Sequence, residues 1–250
     1  MNIYGDILAD PEQYRVGADF NATNIVFPIK IGTTKYIIKK PRSGLSDFLI
    51  HKYLLQQDKA FLGTRKKASS LDRIQDEAKK LNALKGRYAP RYVDYYHGNL
   101  LRQYLEGSGF RSLNTDRLKE KTLEGALEAI EHFHSQKIIV GDADVKNLFY
   151  SNDNKVYWLD FEGCFDESNL DRAKAADLLK FVYSTYTVTR NKDTTLFVAE
   201  LVAKNYDHLL VRDQVKQFLK KVKLGFNLWF ATRIPKNDQE INDGIQNLLL

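Results

Sequence analysis

Hydrophobic positions follow two rhythms along this chain. Over 14–40 they form short, β-branched runs. NIVFPIKI (24–31) is followed by the turn GTT and by KYIIKK, and Pro41 ends the pattern. Such runs around a turn predict a hairpin of two strands. From 44 to 60, Phe48, Leu49, Tyr53 and Leu54 recur at near-helical spacing and predict a helix. GTRKKASS (63–70) reads as a basic connector of small residues. A second helix is expected over 71–85, with Ser70 as its N-cap and Leu71, Ile74, Ala78, Leu81 and Leu84 as its buried stripe; Gly86 is a stop signal. Tyr92–Tyr96 and 100–105 predict two more strands. GSG at 107–109 marks the best boundary between two lobes, 1–106 and 107–250.

Beyond that boundary the helical rhythm dominates. Residues 116–135 place Leu123, Leu127, Ile130, Phe133 and His134 near one helix face. Two strands, 148–150 and 155–159, flank the turn-rich SNDN. Further helices are expected over 169–186, about 195–210 and about 212–232. There is no internal repeat and no low-complexity tract. The fold class predicted is α+β: strands with one or two helices, then a mainly helical half containing one hairpin.

Composition narrows this picture. The chain has 250 residues, 43% hydrophobic and 12% aromatic, enough for a substantial core and against disorder. Cys164 is the lone cysteine, so an internal disulfide and a cysteine-based zinc site are excluded. MNIYGDILADPEQYR lacks a basic start followed by an apolar run, so no signal peptide is expected, and no apolar run is long enough to span a membrane. A cytoplasmic location, with peripheral attachment to a membrane as the variant, fits these features. The net charge of +6 favours anionic partners: nucleotides, nucleic acid or acidic membrane surfaces. It does not choose among them.

The candidate chemistry lies in IIVGDADVKNLFYSNDNKVYWLDFEG (138–163). Asp142 and Asn147 are five residues apart, and Asp160 closes the second strand of the hairpin. That hairpin brings Asn147 and Asp160 together. A carboxylate and an amide oxygen are hard ligands suited to Mg²⁺ that also holds phosphates. Asp142, just before them, is placed to orient an attacking hydroxyl or accept its proton.

D-x-x-x-x-N, a hairpin and then apolar-D-F resembles the catalytic and metal-binding loops of the protein-kinase-like superfamily. The resemblance covers roughly 14–185. It implies a two-lobed fold, with a small β-rich N-lobe and a short, mainly helical C-lobe. It implies ATP and Mg²⁺ as cofactors, Asp142 as catalytic aspartate, and Asn147 and Asp160 as metal ligands. The family's strand lysine would come from KYIIKK. Lys39 in YIIK matches the pattern V-A-I-K, while Lys40 points to the opposite face. Glu77 of DEAKKL would hold that lysine, since it shares the Ile74–Ala78–Leu81 face, whereas Asp76 is rotated away. LLRQYLEG resembles the strand-to-hinge segment, whose backbone around Gln103, Tyr104 and Leu105 would meet the adenine edge. Asp177 in AADLLKF corresponds either to the buried aspartate that braces the catalytic loop or to an ordinary helix acid.

The chain also departs from the pattern. VGADFNATNIVF offers only Gly17 where a glycine-rich loop belongs. Val140-Gly141 replaces H-R before the aspartate, and Asp160-Phe161-Glu162-Gly163 replaces D-F-G. Asp144 stands where many protein kinases carry a phosphate-contacting lysine. There is no A-P-E and little chain for an activation segment. KKPRSG and WLDFEGC resemble small lipopolysaccharide-core sugar kinases. The IIK strand, DEAKKL helix and size resemble small atypical kinases of the RIO type and of the tRNA-threonylcarbamoylation complex. The acceptor implied is a hydroxyl of a sugar, a glycolipid or a protein.

Two other functions compete. The missing glycine loop and Asp144 are compatible with a pseudokinase or scaffold that binds nucleotide without transfer. Arg65-Lys66-Lys67 and Lys216, Lys220, Lys221 and Lys223 keep nucleic acid open as a partner, although the second group reads better as a solvated face over Phe218, Leu219 and Val222. His132 and His134, two apart on a helix, point in different directions and form no metal pair.

Overall fold

The computed structural model describes residues 3–20, 24–42, 68–163, 169–206, 208–223 and 239–250. The helix expected over 44–60, Arg65, Lys66, Lys67, Cys164, the side chains of Lys221, Val222 and Lys223, and the end of the helix expected over 212–232 lie outside the described residues.

The protein is an α+β fold. Four strands, β1 (Ile25–Ile31), β2 (Thr34–Lys40), β3 (Tyr92–Tyr96) and β4 (Asn99–Gln103), form an antiparallel sheet in the order β1-β2-β4-β3. Residues 15–20, expected as strand, are irregular chain that touches β1 through two bridges, Arg15↔Ile29 and Phe20↔Val26. Gly17 lies between them, where a Cβ would stand 2.9 Å from the Pro28 side chain.

Alternation along the strands sorts the sheet into two faces. Phe27, Ile29, Ile38 and Leu101 share one face and are covered by Ile7 and Leu8 of α1 (Ile3–Ala9), a short helix the sequence pattern did not announce. Val26, Lys39 and Leu100, paired across the strands, share the other. That face packs on α2 (Ser70–Leu84).

Helix α2 begins one residue earlier than expected. Ser69 is the N-cap, in a capping box with Asp72, because its hydroxyl reaches the Asp72 amide at 3.1 Å. Ser70 is instead buried and donates to Asn24 at 2.5 Å. Leu71, expected in the buried stripe, is 47% exposed. Arg73 takes its place beside Ile74, Glu77, Ala78, Leu81 and Leu84. One helical turn separates Ile74, Glu77 and Leu81, so the stripe that buries the helix also carries Glu77 inward.

The GSG expected as a boundary forms β5 (Gly107–Gly109), which pairs with β6 (Leu148–Ser151) and through it β7 (Val156–Trp158). The hairpin around SNDN is therefore part of a three-stranded sheet. It packs on α3 (Asp116–Ser135), capped by Thr115. Among the described residues, four further helices follow: α4 (Leu170–Thr189), α5 (Lys192–Asn205), α6 (Leu209–Lys223) and α7 (Gln239–Leu249), the last unexpected. Phe133, Trp158, Phe161 and Phe181 are buried in one continuous core running from α2 and β4 to α7. Each contributes about 1.5–3 kcal/mol by burial. On α6, Phe218 and Leu219 are buried while Lys220 is exposed, as a solvated face over an apolar stripe requires. No helix among the described residues is long and apolar enough to cross a membrane.

Candidate active site

Of the two lysines that end β2, strand alternation turns Lys39 inward and Lys40 outward. Lys40 reaches Glu12 at 3.2 Å near the surface. Lys39 is 3% exposed, and its Nζ meets Glu77 at 2.5 Å, Glu162 at 2.5 Å and Asp160 at 3.2 Å. Arg102 on β4 braces Glu77 from the other side at 3.4 Å and donates to the Leu159 carbonyl. Asp76 faces away and pairs with Lys80 at 2.7 Å. Burial by itself pulls the Lys39 pKa down, yet Asp160, Glu162 and Glu77 together push it above the ordinary lysine value. Lys39 is therefore a fixed cation.

Glu162 was visible in the sequence only as a departure from D-F-G. It is a central member of the cluster. Its carboxylate accepts from Asn24 Nδ2 at 2.6 Å and lies 3.7 Å from Arg73, besides meeting Lys39. Burial, with the adjacent Asp160 charge, raises Glu162 above the ordinary carboxylate range against the pull of Lys39. The segment that carries it is pinned on both flanks. The Phe161 ring is buried against Phe133, and Lys80 donates to the carbonyls of Phe161 at 3.2 Å and Gly163 at 2.6 Å.

Glu77, Asp160 and Glu162 each offer a carboxylate oxygen, all within 4.8 Å of one another. That is the chemistry of a hard-cation site, but the Lys39 ammonium already stands among them. Lys39, Arg73 and Arg102 balance the three negative charges. Asp160 is the member best able to turn to a divalent ion. Its side chain is 28% exposed and touches Lys39 at the longest of the three distances.

The catalytic-loop candidates come together next to this cluster. Asn147 ends a short 3-10 turn (Val145–Asn147), and its carbonyl accepts from the Leu159 amide at 3.0 Å, one residue before Asp160. The hairpin thus joins Asn147 and Asp160 as the spacing predicted. Asn147 Nδ2 donates to the Asp142 carbonyl at 2.9 Å and to Asp142 Oδ2 at 3.1 Å, which leaves Oδ1 as the atom it can offer a cation. Asp142 Oδ1 accepts from Lys180 of α4, and Lys146 lies 3.6 Å from Oδ2. Asp144 is buried and caps the turn. Its Oδ1 accepts the Lys146 amide at 3.1 Å, and Lys146 Nζ lies 3.5 Å from its Oδ2. Its charge is committed within the loop.

Asp177 holds the loop that leads to Asp142 and is not a solvated helix acid. It is buried on α4 and accepts the amides of Val140 at 2.7 Å and Gly141 at 2.9 Å. Gly141 has φ of +87°, a conformation that an arginine at this position would hold only under strain. Local backbone shape therefore accounts for the glycine before Asp142. His134, expected on the helix face of Leu127, Ile130 and Phe133, is buried and connects Asp177, 3.2 Å from Nε2, to the Tyr206 hydroxyl, 2.7 Å from Nδ1. Burial lowers its pKa against the pull of Asp177, so the ring is neutral. This network assigns the proton to Nε2.

At the far end of β4 the Gln103 amide donates to the Arg91 carbonyl at 2.9 Å, and Lys35 stands over the Tyr104 ring at 5.4 Å. Tyr104 and Leu105 are half-buried. Sequence reasoning missed Glu162, Arg102, Asn24 and Lys180. Lys180 alone had a usable signal, standing three residues after Asp177 on one helix face. No protein-family model matches the chain, and no curated protein matches it.

Proposed function

We propose that the chain is a nucleotide-dependent phosphotransferase, and in particular a divergent protein-kinase-like enzyme with two lobes, 1–106 and 107–250, that moves the γ-phosphate of ATP to a hydroxyl of a sugar, a glycolipid or a protein. The observation that carries this reading is the meeting of Lys39, Glu77 and Asp160 beside a loop that presents Asp142 and Asn147. These residues come from β2, α2, the hairpin end and the loop before it. Solvated loop acids would have no reason to converge in this way.

In this reading Lys39 holds the α/β-phosphates, and Glu77 with Arg102 fixes Lys39. The acceptor oxygen forms a bond to the γ-phosphorus as the bond from phosphorus to the β–γ bridging oxygen breaks and ADP leaves. Asp142 orients the acceptor hydroxyl and takes its proton. Asn147 Oδ1 and Asp160 would hold Mg²⁺, which supplies charge neutralisation for the phosphates. Adenine would lie along 103–105, where the Gln103 amide is engaged by Arg91, leaving Tyr104 and Leu105 as the backbone to meet its edge. A cytoplasmic location, where ATP is plentiful, accompanies this reading. Incubating a lysate with the protein and γ-labelled ATP, followed by mass spectrometry, identifies the acceptor. Asp142→Asn is expected to lower label transfer at least ~100-fold with ATP binding retained. Transfer that persists in this variant would remove Asp142 from its role.

A second reading, nucleotide binding without transfer, is favoured by the contact between Lys39 and Glu162. A phosphate must replace that carboxylate to reach the lysine, and there is no glycine-rich loop to help. Glu162→Gln is expected to tighten ATP binding about tenfold in the presence of a chelator, a gain of about 1.4 kcal/mol, because the competing charge is gone. Titration calorimetry with and without Mg²⁺ checks this. An unchanged or weaker metal-free affinity would show that Glu162 does not compete with phosphate.

A further inference from the structure

We infer that Lys180 is a positioning residue of the transfer site, setting the Asp142 carboxylate for the acceptor; the inference rests on the phosphotransfer reading above. Three residues of α4 hold the loop 140–147, and they are spaced so as to share one helix face. Asp177 takes the amides of Val140 and Gly141. Lys180 donates to Asp142 Oδ1. Ser184 Oγ accepts the Val145 amide at 3.0 Å. Positions 177, 180 and 184 are three and four residues apart, the spacing of neighbours on a helix. The backbone before Asp142, its side chain and the backbone after it are therefore held by one rigid element.

The contact made by Lys180 differs in kind from the other two. Asp177 and Ser184 fix backbone, whereas Lys180 grips the side chain that would meet the acceptor. With Oδ1 on Lys180 and Oδ2 on Asn147 at 3.1 Å, the carboxylate plane is fixed. Lys146 lies 3.6 Å from Asp142 but also 3.5 Å from Asp144, so its charge is divided between two acids. Lys180 supplies the second cation that brings these two aspartates to balance, next to the place where a γ-phosphate must arrive. The side chains of Lys180 and Asp142 are 32% and 21% exposed. A pair this open contributes little to stability. Orientation of a reacting group, by contrast, has a large effect on rate.

The test uses the full chain and Mg-ATP, with phosphate release to water as the measured reaction, so that no acceptor need be known. Lys180→Met is expected to lower kcat about 10–100-fold with the KM for ATP within about twofold, and Lys180→Arg to restore most of the loss. In an Asp142→Asn background, Lys180→Met is expected to have no further effect beyond about twofold, since Lys180 acts through Asp142. The same fold-loss in that background, or a rise in KM in place of the fall in kcat, overturns the positioning role. So does full activity of Lys180→Met beside an active parent chain. If the parent chain binds no Mg-ATP and releases no phosphate, the phosphotransfer reading fails and this inference fails with it, an outcome separable from the others.

Discussion

Lys39→Met is expected to destabilise the protein by about 3–5 kcal/mol at pH 7, as removal of one partner from a buried ionic cluster does. The lysine stands among Glu77, Asp160 and Glu162, with Glu77 having no exposed surface. Without the ammonium, three carboxylates face one another with, among the described residues, Arg73 and Arg102 to balance them. Thermal unfolding is expected to fall by roughly 6–20 °C for a chain of this size. An unchanged midpoint at pH 7 would mean that the cluster does not depend on Lys39.

The pH dependence of this loss has a definite sign. Burial and Asp160 already raise the Glu162 pKa, while Lys39 opposes the rise. Losing Lys39 raises it further. A carboxyl whose folded pKa is raised contributes stability that is present below its unfolded value, near 4.3, and is lost as pH rises through the folded one. The deficit of Lys39→Met is therefore largest near neutrality and shrinks towards pH 5. Adding Glu162→Gln to Lys39→Met removes one uncompensated charge, so the double variant is expected to be more stable than Lys39→Met alone. That recovery separates an electrostatic cause from loss of the lysine stem's packing.

The sequence exposed one half of this cluster and concealed the other. Lys39 and Glu77 were legible because each lies on a strongly patterned element, where alternation or helical spacing decides which way a side chain faces, and Asp160 because it follows the hairpin closely, two residues past β7. Glu162 was not, because it belongs to no periodic element; the ring of Phe161 and the two contacts of Lys80 decide where it lies. Arg102 was hidden for a different reason. It occupies an apolar strand whose pattern predicts burial, and a buried arginine makes sense only once Glu77 and the Leu159 carbonyl are known to be beside it. The misplaced cap of α2 has a similar origin. Ser69 and Ser70 are equivalent in propensity, and side-chain bonds decide between them: Asp72, three residues on, closes a capping box with Ser69, while Ser70 is drawn to Asn24, far away in sequence. Short elements such as α1 and β5 lack enough residues for a period to show.

Substitutions at Asp177 are expected to release the loop that carries Asp142, in two distinguishable grades. Asp177→Ala removes the carboxylate that accepts the buried amides of Val140 and Gly141, at roughly 1–3 kcal/mol for each bond lost, and strands the Nε2 proton of His134. Asp177→Asn keeps the shape but offers one acceptor. Its oxygen serves best on the side where Asp177 Oδ2 meets both Val140 and His134. The amide nitrogen then faces the Gly141 N–H, donor against donor. Reversing the amide would place its nitrogen against the Val140 N–H and force His134 to move its proton to Nδ1, beside Tyr206. Hydrogen exchange is therefore expected to quicken at Gly141 but less at Val140 in Asp177→Asn, and at both in Asp177→Ala. Under the proposed phosphotransfer reading, turnover is expected to fall about 100-fold or more in either variant, since a displacement of Asp142 by about 1 Å is enough for that. Equal protection of both amides in all three proteins would mean that the loop keeps its shape without Asp177, and α4 would then have to hold it through Lys180 and Ser184 alone.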